Sequence, residues 1–328
     1  MKLWLLTLTV LAAVPKAFSQ DAGGALQAVA EMPPCARECL VTSIAKSPST
    51  MNLTAVGCDR PTRDRSPAYI ILSDVFGTIS GVFVLQRLAY KLWAKLDLGG
   101  DDWMTVATVI SGIPSTVISS YGVSNHGLGR DIWTLTPSEI TRFGLFFWIL
   151  EILYFVEVSM LKLSLLLFYI RIFPGRTVRR LLWGTFIGSA AFGIAFVIVA
   201  VFQCTPVKYY WQKWDGEHQG TCLDINSIAW SNAAISIAID IWVLAIPLWQ
   251  LKSLKLDWRR KIGVGMMFCV GAFVTIVSIL RLRSLIKFGT DSLNPTWDFY
   301  DVSVWSVVEI NVGLIWHNGT ILWKELET

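Results

Sequence analysis

What this chain mostly lacks is charge. Only 16% of its 328 residues are Asp, Glu, Lys or Arg, against about 25% in an ordinary soluble domain. So few charges cannot clothe a water-facing surface of normal size, and 54% of the residues are hydrophobic. The chain reads as a polytopic membrane protein. Catalytic signatures are missing as well. There is no HExxH, no paired CxxC, no Walker loop and no GxSxG. The three histidines, His126, His218 and His317, are scattered and form no metal set. Enzymatic activity is not expected. The net charge of +4 is small and dispersed, so no nucleic-acid partner is implied, and the placement of the basic residues matters more than their sum.

What is present is a series of apolar runs, near 67–90, 103–124, 143–170, 181–203, 228–251, 262–283 and 300–322. Each is long enough for the roughly 20 residues a helix needs to cross hydrocarbon. The expected fold is an all-α seven-transmembrane helix bundle over residues 67–323. Its last run is interrupted by His317, Asn318, Gly319 and Thr320. Residues 1–20 read as a secretory signal peptide cut near Ser19 or Gln20. Residues 21–66 then form an extracellular arm, and 324–328 a very short cytoplasmic tail. No transporter-like internal repeat is visible.

A cleaved signal places the mature N-terminus outside and the C-terminus inside. The turns expected inside carry Lys91 and Lys95; Arg171, Arg176, Arg179 and Arg180; and Lys252, Lys255, Arg259, Arg260 and Lys261. The outside connections carry fewer basic residues, even with Arg281, Arg283 and Lys287 counted, so the positive-inside rule agrees. The expected location is the plasma membrane, reached through the secretory pathway. Trp93, Trp103, Trp133, Trp211, Trp214, Trp258 and Trp297 fall at the expected membrane edges, where tryptophan anchors a helix.

The third run, with EILYFVEVSMLKLSLLLFYIRIFP from Glu151 to Pro174, carries Glu151, Glu157 and Lys162 inside apolar sequence. An ionisable group near the bilayer centre costs roughly 2.5–3.5 kcal/mol to insert, so it suggests a function by default. Glu151 and Lys162 lie eleven residues apart, about three turns, and share a helix face. Asp240 lies near the middle of the fifth run and Glu309 near the middle of the seventh. Asp74, Asn232 and Asn311 are further candidates for one interior polar cluster. Two readings stay open: a ligand pocket or proton-linked switch, and an ion-pair lock on helix packing, worth about 0.6 kcal/mol per contact.

Cys204 and Cys222 share one expected outside loop and are disulfide candidates, closing that loop around Trp211 and Trp214. Cys269 reads as a small packing residue. Asn52-Leu53-Thr54 is a glycosylation sequon on the expected outer side. Asn318-Gly319-Thr320 also matches, but lies within or beneath the membrane and should stay bare.

Several stretches recur in order: HGLGRDIWTL (126–135), KLSLLLFYIRIFP (162–174), FQC, YYW and GTC around Cys204, Trp211 and Cys222, DIWVLAIPLWQL (240–251), GAFVTIVSILRL (271–282) and WSVVEINVGLI (305–315). Together, over residues 67–316, they make the chain resemble the fungal rhodopsin-domain family of seven-helix membrane proteins. PPCARECL and NLTAVGC (33–40 and 52–58) resemble a degenerate CFEM module, the cysteine-rich extracellular domain of many members. Met51, Ala55 and Arg60 stand where that module has Cys, its haem-ligating Asp and Cys. No haem is therefore expected. Cys35, Cys39 and Cys58 allow at most one internal bond, whose pairing stays open. Residues 300–322 contain no lysine to hold a retinal Schiff base, so no retinal is expected either.

The resemblance implies a receptor-like sensor of the G-protein-coupled type. Besides the lipid bilayer, its partners would be a small-molecule ligand and a G protein. The ligand would sit between helices three, five, six and seven near Glu157, Asp240 and Glu309, beneath Trp211 and Trp214. The basic inner turns, with Arg171, Arg179, Arg180, Arg259 and Arg260, would couple it to the cell interior. Two receptor signatures are absent: FYIRIFP stands in place of Asp-Arg-Tyr, and there is no NPxxY. The alternative that the resemblance implies is an accessory membrane protein of a fungal secondary-metabolite cluster, helping to sense, move or tolerate the product.

Overall fold

A computed structural model describes residues 61–172, 175–253, 258–288 and 294–326. The expected signal peptide, the CFEM-like cysteines and Asn52 lie outside the described residues, as do the side chains of Cys269, Arg259 and Arg260. Seven long helices follow in sequence among the described residues: α1 (Ser66–Trp93), α2 (Gly100–Val117), α3 (Pro137–Ile172), α4 (Arg176–Val201), α5 (Ile225–Ser253), α6 (Trp258–Phe288) and α7 (Pro295–Leu326). Among the described residues, five are long and apolar enough to cross a bilayer: α1, α2 with its extension to Val123, α3, α4 and a segment of α5. The helices α6 and α7, of 31 and 32 residues, are comparably long.

Local chemistry sets the helix ends. Pro137 opens α3, where its missing N–H costs nothing. Thr136 and Glu139 form a capping box, the Thr136 N–H donating to Glu139 Oε2 at 2.7 Å. In α2, Asp101 and Asp102 lie in the first turn, beside the positive end of the helix dipole. Pro114 interrupts that helix's hydrogen-bond ladder, and the chain continues as a π-helical turn, Ile118–Val123. The 36 residues of α3 span about 54 Å at 1.5 Å per residue. That is longer than the expected 143–170 run, because the capping box starts the helix well outside the apolar stretch.

Each helix packs on its sequence neighbour, and α7 returns to α1 and also reaches α3, so the ring closes around α3. One apolar cluster joins α3, α4 and α5 through Leu166, Phe168, Tyr169, Leu182, Val243 and Ile246. A second joins α1, α3, α4 and α7 through Val84, Tyr154, Phe155, Ala200, Ile310 and Leu314. Outward-facing Ile71, Val82 and Leu85 on α1 and Ile187 and Ile194 on α4 remain exposed, as lipid-facing positions do. Gly193 lets α4 approach α3 closely, since a Cβ there would meet Ser159 Oγ at 2.5 Å.

Between α4 and α5 lies a loop with two short antiparallel strands, β1 (Cys204–Thr205) and β2 (Thr221–Cys222). Cys204 and Cys222 are paired across them in a disulfide. The loop docks on α3: Trp211 packs against Trp148, ring centroids 5.4 Å apart, and Trp214 Nε1 donates to Thr141 Oγ1 at 3.1 Å.

Candidate functional site

Midway along the bundle, four helices contribute two ion pairs. Lys162 of α3 lies 2.7 Å from Asp240 Oδ1 of α5. Its ammonium also donates to the hydroxyl and carbonyl oxygens of Ser236, at 2.7 and 2.8 Å. Those three bonds use every N–H that a lysine ammonium has. On the far side, Arg281 Nε of α6 lies 3.1 Å from Glu309 Oε2 of α7. Tyr154 of α3 donates its hydroxyl to the same oxygen at 2.7 Å, Ser278 donates to Glu309 Oε1, and the Arg281 guanidinium sits 4.6 Å from the centre of the Tyr154 ring. Thus α3, through Tyr154 and Lys162, touches both pairs. Asp240 Oδ2 and Arg281 Nη2 keep unused capacity, being buried without a hydrogen-bond partner among the described residues.

The other expected site residues fall elsewhere. Glu157 is 2% exposed and neighbours Ser115 of α2, just after Pro114, while its Oε1 has no hydrogen-bond partner among the described residues. Glu151 accepts from Gln203 Nε2 at 2.9 Å and from the Tyr210 hydroxyl at 3.3 Å, beneath the disulfide loop. Asp74 lies on an exposed face of α1 and accepts from Ser120 of the π-helical turn. Asn311 accepts the Ser80 hydroxyl at 2.7 Å. Asn232 is buried on α5, on the same face as Ser236 and Asp240 by its spacing of four. Trp211 and Trp214 cover the end of α3 through the contacts above.

A second charged cluster joins α1, α2, α3 and α7 at the end of the bundle near the turn between α1 and α2. Arg87 lies 2.6 Å from Asp101 and 2.5 Å from Asp102, and Lys91 lies 2.8 Å from Asp102. All four side chains are at most 3% exposed. Arg87 also donates to Asn318 Oδ1 at 3.1 Å, and His317 Nε2 lies 2.8 Å from Ser164 Oγ. His317 and Asn318, which interrupt the seventh run, therefore face protein. Arg171 reaches Asp101 at 3.7 Å with its own side chain half exposed, and Arg176, Arg179 and Arg180 are exposed.

Sequence reasoning placed Lys91 in an inner turn and Arg281 in an outer one. Both are helical and buried, at 0% and 4% exposure. The signal for Lys91 was legible: Arg87 and Lys91 are four apart on one helix, and adjacent acids open the next. At the opposite end, Arg63 pairs with Asp131 at 2.5 Å and Arg130 with Asp64 at 3.0 Å. Partial burial would raise the Asp64 carboxyl, but its Ser66 hydrogen bonds and Arg130 hold it below the usual carboxylate range. Gly129, at φ +82°, accepts the Arg65 N–H there, where a Cβ would crowd the Ser66 backbone.

Apolar outer faces, charges neutralised between helices and a disulfide-closed loop define a multi-pass helical membrane protein. The chain belongs to the fungal rhodopsin domain family, whose model matches residues 86–326. It is 28% identical over 209 residues to a SAT4 family membrane protein of Emericella nidulans, covering 60% of this chain and 53% of that one. It is 27% identical over 164 residues to satratoxin biosynthesis SC1 cluster protein 4 of Stachybotrys chartarum, covering 50% and 58%. A protein named Receptor GIN3, of Arthrobotrys oligospora, is 23% identical over 258 residues, covering 76% and 60%. The chain thus spans a little over half the length of the first two relatives. No solved structure matches it.

Proposed function

We propose that this protein is a seven-span membrane sensor, N-terminus outside, whose mid-bundle ion pairs respond to a small lipophilic ligand. The observation that carries the reading is the hub position of α3, tied to α5 through Lys162–Asp240 and to α6 and α7 through Tyr154, Arg281 and Glu309. A ligand that offers a better partner to the unused capacity of Asp240 or Arg281 shifts the balance between two packings of these helices. The helices carry that shift to the basic turns, where exposed Arg176, Arg179 and Arg180 present a face to an inner partner such as a G protein. The likeness to a protein named as a receptor supports this role. Binding and relay, not catalysis, is the proposed activity.

The test is a cellular response. Fungal cells carrying the chain should change transcription on exposure to a lipophilic extract of their own culture, and Asp240→Asn at equal membrane abundance should not. An unchanged response in that variant would overturn the reading. A second role has separate support, because relatives are named for satratoxin, polyenoic acid, fugralin and wortmanamide biosynthesis clusters. On that reading the protein accompanies a metabolite pathway, and deleting it lowers product yield or tolerance without any evoked response.

A further inference from the structure

The helices α3, α4 and α5 leave a crevice between them, whose wall mixes apolar residues such as Phe155, Phe192 and Phe196 with polar side chains. Two of those polar groups, Asn232 at 5% exposure and Ser189 at 6%, hydrogen-bond to no described residue. Helical hydroxyls in this bundle usually return to a carbonyl one turn back, as Ser159, Thr185 and Ser278 do, but Ser189 does not. Both line the crevice, where the polar atom of a ligand can reach them. Lys162 also lines the crevice, yet its three donors are already taken by Asp240 and Ser236. An anion would therefore give up its hydration for a charge that is already neutralised. The chemistry that fits is a neutral hydroxyl or carbonyl, which can donate to or accept from the Asn232 amide and meet the Ser189 hydroxyl.

Size fixes the pose. The crevice has room for about one water molecule, so only a polar head enters. The body of the ligand stays in the bilayer, against Ile235 of α5, which is exposed next to Ser236 of the crevice wall. We propose that this crevice captures the hydroxyl or carbonyl head of a neutral lipophile that enters sideways from the membrane. Asn232 lies one turn from Ser236, which holds Lys162, so the head would bear on the α3–α5 ion pair. The inference rests on the sensor reading for its consequence, while its test reads binding alone.

The probe is a sterol with a free 3-hydroxyl, a diazirine in its ring system and an alkyne tail. It is photolysed with the full chain in phosphatidylcholine nanodiscs, and the labelled peptides are mapped. Saturable labelling of peptides holding Phe192–Phe196 and Asn232–Ile239 is expected, falling about tenfold for the 3-methyl ether of the probe or for Asn232→Leu, the loss of one good hydrogen bond. Ser189→Ala, a smaller change, should weaken it less. Asn232→Leu is checked for an intact Cys204–Cys222 disulfide and an unaltered unfolding temperature. Competition by unlabelled sterol alone supports a bilayer lipid as the source, and competition by a flat neutral ketone such as anthrone as well supports the wider class. Labelling that is indifferent to the hydroxyl and to Asn232, or spread over the exposed face of α1, would overturn the proposal and leave the crevice to water. Lost labelling in Asn232→Leu with an intact cellular response tells against the binding–relay link alone.

Discussion

Two charged regions of this bundle look alike in composition and differ in wiring. At the end near the α1–α2 turn, two acids share three bases: Asp101 meets Arg87 and Arg171, and Asp102 meets Arg87 and Lys91. Its innermost partners come from neighbouring helices close in sequence. The mid-bundle region has one base for each acid, drawn from four helices, and Asp240 Oδ2 and Arg281 Nη2 there, like Arg87 Nε in the first region, lack a hydrogen-bond partner among the described residues. Redundant partners hold a structure through any single fluctuation. One-to-one pairs between distant helices make a junction that a single new partner can rearrange. The first region suits a structural clamp and the second suits a responsive site.

Breaking the clamp should cost most. Arg87→Leu leaves two buried carboxylates short of a cation, and removing one partner of such a network costs roughly 3–5 kcal/mol. Thermal unfolding in nanodiscs should show a large drop in stability and in membrane abundance. Lys162→Met strands Asp240 and should cost about 3 kcal/mol, whereas adding Asp240→Leu should return most of it, since a well-packed apolar pair replaces a buried ion pair at little cost. Unfolding of the single and double variants forms the cycle that measures this coupling. Tyr154→Phe removes one hydrogen bond to a carboxylate that keeps Arg281 and Ser278, so about 1.5 kcal/mol is expected in the same assay. Arg171→Gln acts on a half-exposed contact and should change stability by less than about 1 kcal/mol. If Arg171→Gln matched Arg87→Leu, the clamp would not be redundant as described.

Much of this was legible from residue order. Lys162 is the sole base in the third apolar run, and its depth matches that of Asp240, so their meeting follows from bilayer geometry. Cys204 and Cys222 were paired by compartment and loop. The position of Arg281 was hidden, because a basic residue near the end of an apolar run looks the same whether it leaves for water or turns inward to an acid. Glu157 also escaped: depth alone does not say which side of a helix a carboxyl takes, and its Ser115 neighbour depends on the course of α2 at Pro114. The crevice at Asn232 is a matter of which hydroxyls go unbonded, and no spacing in the sequence records that.

The central claim is that the Lys162–Asp240 pair sets the balance between two helix packings. Spin labels at Trp93→Cys and Ala245→Cys, in a background freed of other reactive cysteines, report the distance between α1 and α5 on exposed positions. A shifted or two-peaked distance distribution in Lys162→Met, restored to one peak by adding Asp240→Leu, is the predicted result. A distribution in Lys162→Met identical to that of the parent protein would contradict it.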